Sequence, residues 1–208
     1  MKKFFFIGRD HDLIDITKKN KNKFLGYCLK SKKDLKRNLL YFCDEEKLIK
    51  NLKPNFYALI ILDSPKLRQK NYKKFKKISG SYISKKSHLL TDNKKFDKKG
   101  IILPDTRSLI IQDFVKIYPF VTFGVGCKFN VNSQIHHECE IGNFVTIAPS
   151  AIILGNVKIG DCTYIGAGSI IKENVKIGKN CLIGAGSVVI KDVSDNKKVA
   201  GVPAKKLI

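Results

Sequence analysis

The chain has 208 residues, of which 43% are apolar, so it can bury a core of one large or two small domains and general disorder is not expected. Its formal net charge of +22 comes almost entirely from lysine, and arginine occurs only as Arg9, Arg37, Arg68 and Arg107. Because arginine is the preferred residue for reading bases, this balance argues against specific nucleic-acid binding. It favours the codon bias of an AT-rich genome, with a positive field for phosphorylated ligands or an anionic membrane surface as the alternative. No apolar run reaches about 18 residues, so no membrane span is expected.

The first half of the sequence alternates strand patterns with helix patterns. Strands are predicted at 3–8, 23–29, 55–63 and 81–84, and helices at 10–19, 44–52 and from Ser64-Pro65 onward, the last with Leu67, Tyr72, Phe75 and Ile78 at helical spacing. This alternation predicts a small parallel α/β domain over residues 1–100. Its last part, the polar and lysine-rich segment 85–99, is interpreted as a link to the second half of the chain.

The second half has a period of six residues. A large apolar residue occupies the first place of each hexad, at Ile111, Ile117, Phe123, Phe129, Ile135, Ile141, Ile147, Ile153, Ile159, Ile165, Ile171, Ile177, Ile183 and Val189. A small or β-branched residue follows four positions later each time. This period fits neither a helix nor one long strand. It predicts a coil of short strands over residues 101–208, each with one large and one small side chain inward, turned at glycine-rich places such as Gly124 and Gly142.

Cysteine usage favours a reducing compartment. Six cysteines occur without any C-x-x-C pair, and three of them, Cys127, Cys139 and Cys181, fall in the small inward place of a hexad. A buried thiol there acts as a compact apolar group, so neither a disulfide framework nor a zinc knuckle is favoured. A cytoplasmic location is therefore expected.

The hexads resemble the left-handed parallel β-helix of the hexapeptide-repeat acyltransferases, in which three hexads form one triangular coil and residues 18 apart lie above one another. With an α/β unit before the repeat, the whole chain resembles acetyltransferases of the sialic-acid O-acetyltransferase type. That family includes N-acetyltransferases that act on nucleotide-linked amino sugars. The resemblance implies a Rossmann-like acceptor domain, a β-helix that binds acetyl-CoA, and a homotrimer whose sites are shared between neighbouring copies.

The family's histidine and acidic pair is matched within Ile135-His136-His137-Glu138-Cys139. The resemblance implies that His137 is the general base, since imidazole titrates near working pH, and that Glu138 orients it. Gly155 follows 18 residues later and matches a family position whose N–H binds the acetyl carbonyl and stabilises the oxyanion. The structural alternatives are a solvated polar corner for the pair and a simple turn for Gly155.

Further site residues are implied by the same resemblance. Relatives line the pantetheine groove with small residues, matched here by Gly166, Ala167, Gly184 and Ala185. Thr146 stands where many relatives have a CoA-contacting histidine, and Lys205 of the closing Gly201-Val202-Pro203-Ala204-Lys205 motif would meet the CoA phosphates. On the acceptor side the matches are Gly8, His11, Asn130 and His136.

The acceptor domain departs from the family pattern. Relatives carry a glycine-rich loop after the first strand, whereas this chain has Gly8-Arg9-Asp10-His11-Asp12, with a single glycine. The places after the second and third strands read Lys30-Ser31-Lys32 and Leu62-Asp63-Ser64 instead of an acidic pair and Gly-Asn. The nucleotide therefore stays open at this point.

The predicted function is transfer of acetyl from acetyl-CoA to the amino group of a nucleotide-linked amino sugar in glycan biosynthesis. No G-x-S-x-G elbow occurs, so direct attack in a ternary complex without a metal is expected. O-acetylation of a sialic-acid-like sugar is the alternative. A zinc carbonic anhydrase on the same β-helix would need three histidines, and the repeat offers only His136 and His137. A non-catalytic basic module that binds nucleic acid or membrane is the remaining hypothesis.

Overall fold

The computed structural model describes residues 3–7, 24–28, 41–42, 56–84, 86–89, 100–102 and 107–207. The predicted helices at 10–19 and 44–52, and the site residues Gly8 and His11, lie outside these ranges.

The first element of the fold is a parallel sheet. Its strands are β1 Lys3–Ile7, β2 Phe24–Cys28, β3 Tyr41–Phe42 and β4 Phe56–Ile60, in the order β3-β2-β1-β4. Phe4, Phe5 and Phe6 of the inner strand β1 are completely buried, as expected of a parallel sheet that is covered on both faces. The strands predicted at 3–8, 23–29 and 55–63 are confirmed, and β3 is an additional strand that the prediction lacked.

The helix predicted after β4 is also confirmed. Helix α1 spans Pro65–Phe75 and continues into a 3₁₀ turn, Lys76–Ile78. The Ser64 hydroxyl caps its start by accepting from the Leu67 N–H at 3.4 Å, and proline at the first helical position needs no donor. The Phe75 ring packs edge-on against Phe5, with ring centroids 6.3 Å apart, and thereby attaches the helix to the sheet.

The remainder is a parallel β-solenoid. Its strands are β5 Ser81–Ile83, β6 His88–Leu89, β7 Gly100–Ile102, β8 Ile110–Ile111, β9 Lys116–Ile117, β10 Thr122–Phe123, β11 Lys128–Phe129, β12 Gln134–Ile135, β13 Glu140–Ile141, β14 Thr146–Ile147, β15 Ile152–Ile153, β16 Lys158–Ile159, β17 Tyr164–Ile165, β18 Ile170–Ile171, β19 Lys176–Ile177, β20 Leu182–Ile183, β21 Val188–Val189, β22 Lys198–Ala200 and β23 Lys205–Lys206. Three sheets form its faces: a first face β23-β22-β20-β17-β14-β11-β8-β5-β7, a second face β21-β18-β15-β12-β9-β6, and a third face β10-β13-β16-β19.

Coil stacking follows the predicted spacing. Thr146 pairs with Tyr164, and Ile153 with Ile171, so partners are 18 residues apart along the solenoid. The inward places of the hexads are buried throughout, apart from Phe123, which is partly buried against the same core. The three cysteines assigned to the small inward place, Cys127, Cys139 and Cys181, are in this core as well. This architecture fits the left-handed β-helix that the resemblance implied.

The solenoid begins earlier than the repeat. The strand predicted at 81–84 exists, but the Tyr82 N–H donates to the Leu109 carbonyl at 2.8 Å and Ile83 is part of the solenoid core. The assignment of this strand to the α/β sheet was therefore wrong. Strand β6 lies within the predicted link and pairs with β9. Ile83 and Leu89 are six residues apart, like their partners Ile111 and Ile117, but each pair is 28 residues apart in sequence, so the 18-residue spacing does not extend to this coil. The division into domains at residue 100 stays a prediction.

The role expected of the glycines also needs correction. The left-handed backbone that turns each coil is in the fourth place of the hexad, two residues after the place of these glycines, for example at Asn132, Asn156 and Gly168. The second-place glycines are instead positions of close approach: a Cβ on Gly166 would lie 2.6 Å from the Ala185 backbone nitrogen of the next coil. They are small because the coils stack tightly there.

Two corners of the solenoid concern the site. The corner between the second and third faces, called the His corner, comprises residues 119–120, 137–138, 155–156 and 173–174. The corner between the first and second faces, called the Ala corner, comprises residues 149–150, 167–168 and 185–186.

Candidate functional site

The His corner carries His137 and Glu138. Glu138 has φ 60°, and its carboxylate oxygen Oε2 lies 3.0 Å from Nδ1 of His137. Both side chains are exposed, with 60% and 62% of their surfaces accessible. Because a carboxylate only accepts hydrogen bonds, this contact places the ring proton on Nδ1 and leaves Nε2 with a lone pair. The pair is thus arranged to accept a proton from a bound group.

Gly155 lies directly against the His137 ring in the next coil. A Cβ at this position would be 2.7 Å from Cε1 and 2.8 Å from Nε2 of the imidazole, so only glycine fits beneath the ring in this position. The Asn156 N–H donates to the His137 carbonyl at 3.0 Å and joins the two coils. Within the described ranges, the Gly155 N–H has no acceptor. Gly155 therefore stacks on His137 from the next coil, as the 18-residue spacing predicted.

His136 points along the second face rather than around the corner. Its ring stacks on Tyr118 of the preceding coil, with centroids 4.7 Å apart and planes 16° apart. Burial, and to a smaller extent the nearby His137, lowers the pKa of His136 below its ordinary value. The neutral ring is therefore favoured.

The small residues predicted to line a pantetheine groove are together at the Ala corner. Gly166 is buried, Ala167 and Ala185 are exposed, and the Gly186 N–H donates to the Ala167 carbonyl at 2.8 Å. Lys205 is exposed on β23 and pairs with Ala200, whose methyl group lies against Gly184. Within one chain the second face separates these residues from His137.

Two predicted site residues are not at the exposed corners. Thr146 is completely buried, and its hydroxyl donates to the Asp63 carbonyl at 2.7 Å, because the segment between β4 and α1 covers this part of the first face. This position disagrees with a cofactor contact. Asn130 is also buried, in the column of Gly166 rather than beside His137, and its side-chain oxygen has no partner among the described residues.

The residue that sequence reasoning missed is Arg68. Its guanidinium is completely buried and donates to five backbone carbonyls. The acceptors are those of Leu62, Asp63, Gly126, Phe144 and Val145. Burial lowers the pKa of Arg68 to about 10. Its rarity in a lysine-rich sequence was the available signal, since only guanidinium presents five donors in one rigid fork.

Arg68 and Lys128 hold the β4–α1 segment against the solenoid. Buried Lys128 donates to the Ile61 carbonyl at 3.0 Å and forms an ion pair with Asp63 at 2.7 Å. The Ile61 N–H donates to the Ile7 carbonyl at 3.1 Å and so joins the carboxyl ends of β1 and β4. Asp63 comes two residues later and therefore lies near this edge of the sheet. Ligands of parallel sheets bind at such an edge.

Comparison with known families matches residues 156–191 to a family model described as bacterial transferase hexapeptide (six repeats). This part of the solenoid therefore contains hexapeptide repeats of the bacterial transferase type. No curated protein matches the chain.

Solved structures similar to the chain align over nearly its whole length. WeeI from Acinetobacter baumannii is 22% identical with a TM-score of 0.82 over 100% of both chains. The acetyltransferase domain of PglB from Neisseria gonorrhoeae, in complex with acetyl coenzyme A, is 18% identical with a TM-score of 0.76 over 99% of both. PerB from Caulobacter crescentus, in complex with CoA and GDP-perosamine, is 18% identical with a TM-score of 0.76 over 100% of this chain and 98% of that one. At these identities the similarity shows a shared fold, which extends beyond the repeats.

The described ranges contain no group of three or more His, Cys, Asp or Glu side chains suited to a metal ion. No helix among them has the length and apolar character that crossing a bilayer requires.

Proposed function

We propose that this protein transfers the acetyl group of acetyl-CoA to the amino group of a nucleotide-linked amino sugar. The observation that carries the proposal is the arrangement at the His corner, where the His137 imidazole is oriented by Glu138 and lies against Gly155, whose N–H has no acceptor within the described ranges. A base beside an oxyanion donor is the minimum that direct acyl transfer needs. The shared fold with structures that contain acetyl-CoA, or CoA with GDP-perosamine, supports the substrate classes.

In the proposed reaction the amine nitrogen of the acceptor attacks the thioester carbonyl carbon. Nε2 of His137 accepts the proton that the amine loses, while the Glu138 carboxylate stabilises the imidazolium through Nδ1–H. The carbonyl oxygen becomes an oxyanion that the Gly155 N–H stabilises. Collapse of this intermediate breaks the carbon–sulfur bond, and the CoA thiolate takes up a proton, which His137 is placed to return.

The rest of the chain is assigned to binding. A Rossmann-like domain over residues 1–100, with Gly8 and His11, would hold the nucleotide sugar at the carboxyl ends of β1 and β4, near Asp63. Ala167 and Ala185 would line the pantetheine path, and Lys205 would attract the CoA phosphates. Because the Ala corner and the His corner are apart in one chain, the proposal includes a homotrimer in which a neighbouring copy brings its Ala corner to His137.

The test is thiol release from acetyl-CoA with a panel of UDP-, GDP- and dTDP-linked 4-amino sugars. His137→Ala is expected to lower turnover by roughly 10²- to 10⁴-fold, the usual contribution of a general base. His88→Ala is the matched control, because His88 is exposed on β6, two strands along the second face from β12, which leads to His137. Equal turnover in wild type and His137→Ala would refute the role of His137.

The same panel should contain sialic-acid-like sugars that offer only hydroxyl groups. Thiol release with these sugars, and with no amino sugar, would indicate that the His corner catalyses O-acetylation rather than N-acetylation. If acetyl-CoA neither binds nor reacts, the transferase proposal fails altogether.

A further inference from the structure

Three phenylalanines occupy corner positions where the backbone is left-handed. Phe114, Phe120 and Phe144 have φ values of 59°, 61° and 56°. Elsewhere these positions hold mostly Asn, Gly or other small residues, which adopt this backbone at little cost. A bulky side chain is strained there, so we expect a contact that compensates for the strain.

Two of the three have such a contact within the chain. Phe144 is buried beneath α1, with its ring centroid 5.3 Å from that of Tyr72. Phe114 is 50% exposed, and Nζ of Lys86 lies over its ring, 5.3 Å from the centroid. Phe120 is 67% exposed, and its ring has no aromatic or cationic partner among the described residues. Since no described residue covers this ring, it is open to contact with another molecule.

The position of Phe120 indicates which molecule. It belongs to the His corner, one coil before Glu138, whose N–H donates to the Pro119 carbonyl at 3.2 Å. Gly155 belongs to the coil on the other side of His137. If the thioester is held at Gly155, the acceptor has to approach the base from the side of Phe120.

The distance between coils indicates which part of the acceptor Phe120 can contact. The attacked amine must lie within hydrogen-bond reach of Nε2, and neighbouring coils are about 4.8 Å apart. A residue one coil away is thus within reach of the sugar ring that bears the amine, whereas the nucleotide is further off. We propose that Phe120 is a specificity-determining contact that packs against the apolar C–H face of the acceptor's pyranose. This inference rests on the proposed function and deepens it.

The experiment uses the full chain with Phe120→Asn, and Phe114→Asn as the matched control. Asn relieves the left-handed strain, so Phe120→Asn is expected to raise Tm by about 2–4 °C. The same variant is expected to raise the KM for the acceptor roughly tenfold and leave the KM for acetyl-CoA unchanged. Phe114→Asn removes a similarly placed ring from a different corner and should leave both KM values unchanged. An unchanged acceptor KM in Phe120→Asn would overturn the inference while the transferase proposal stands.

A contact between copies is the competing explanation of an exposed ring. If Phe120→Asn lowers the oligomeric state in sedimentation velocity and raises the KM for acetyl-CoA instead, Phe120 serves assembly and the inference is wrong.

A binding measurement separates this inference from the proposed function. Saturation-transfer NMR with the UDP- and GDP-linked 4-amino sugars needs no turnover. Saturation of the pyranose C–H protons by wild type and its loss in Phe120→Asn would support the contact even if no acetyl is transferred. Saturation confined to the nucleotide, or none, would overturn it.

Discussion

The solenoid interior and the junction between α1 and the first face are stabilised by different means. In the solenoid, apolar side chains repeat every six residues and each coil contacts only its neighbours. At the junction, Arg68 and Lys128 are buried cations whose donors bind backbone carbonyls from segments far apart in sequence. A repeat thus distributes its stability over many equivalent positions, whereas the junction concentrates it in one or two side chains.

Removing the guanidinium is the strongest way to test this difference. We expect Arg68→Met to lower the free energy of unfolding by about 3–5 kcal/mol, because it leaves buried carbonyls of the β4–α1 segment and of the solenoid without their donors. Urea denaturation followed by circular dichroism would measure it.

Lys70→Met is the matched control, since Lys70 is exposed on the same helix and should change stability by less than about 0.5 kcal/mol. Equal midpoints for the two variants would show that the junction does not depend on Arg68.

A conservative change within the repeat should have a smaller effect. Ile153→Val removes one methyl group from the completely buried inward place of β15 and should cost about 0.5–1.5 kcal/mol. Ile152→Val, on the outward side of the same strand, should cost less than about 0.5 kcal/mol. Urea denaturation would measure the change in unfolding free energy of both variants. A larger loss from the outward variant would contradict the assignment of the inward ladder.

The smallest effect is expected from His136. Because the fold lowers the pKa of this ring, the unfolded chain binds a proton more readily near pH 6.5 than the native protein does. The stabilisation is therefore complete above that pH and is lost as the pH falls through it. His136→Phe keeps a ring on Tyr118 without titrating, so its unfolding free energy should fall less between pH 8 and pH 5.5. Parallel pH profiles for wild type and variant would argue against this linkage.

The elements that the sequence predicted correctly are those with a local pattern. The hexads defined the inward residues of the solenoid, and the 18-residue spacing placed Gly155 against His137. Strands β1, β2 and β4 and helix α1 were recognisable from apolar runs and from the Ser64-Pro65 start signal. The roles of the individual site residues remain predictions.

Other features depend on contacts between distant segments and left no local trace. Thr146 occupies an outward strand position like many others, and only the fold shows that the β4–α1 segment covers it. Strand β5 was assigned to the wrong sheet because three residues of strand pattern do not specify a partner. Phe120 stood out only as an aromatic residue at a place in the hexad that otherwise holds mostly small or polar residues.

The period, the identity of the core-facing side chains and the stacking of residues 18 apart follow from the amino-acid pattern, because coils repeat the same backbone geometry and the inward places must be apolar. Tertiary structure alone decided how α1 is attached to the solenoid and why Arg68 is buried. It also decided that Phe120, unlike Phe114 and Phe144, has no partner in the described chain. Each of these depends on which surfaces meet across long separations in sequence, and such meetings are determined by the shape of both surfaces together.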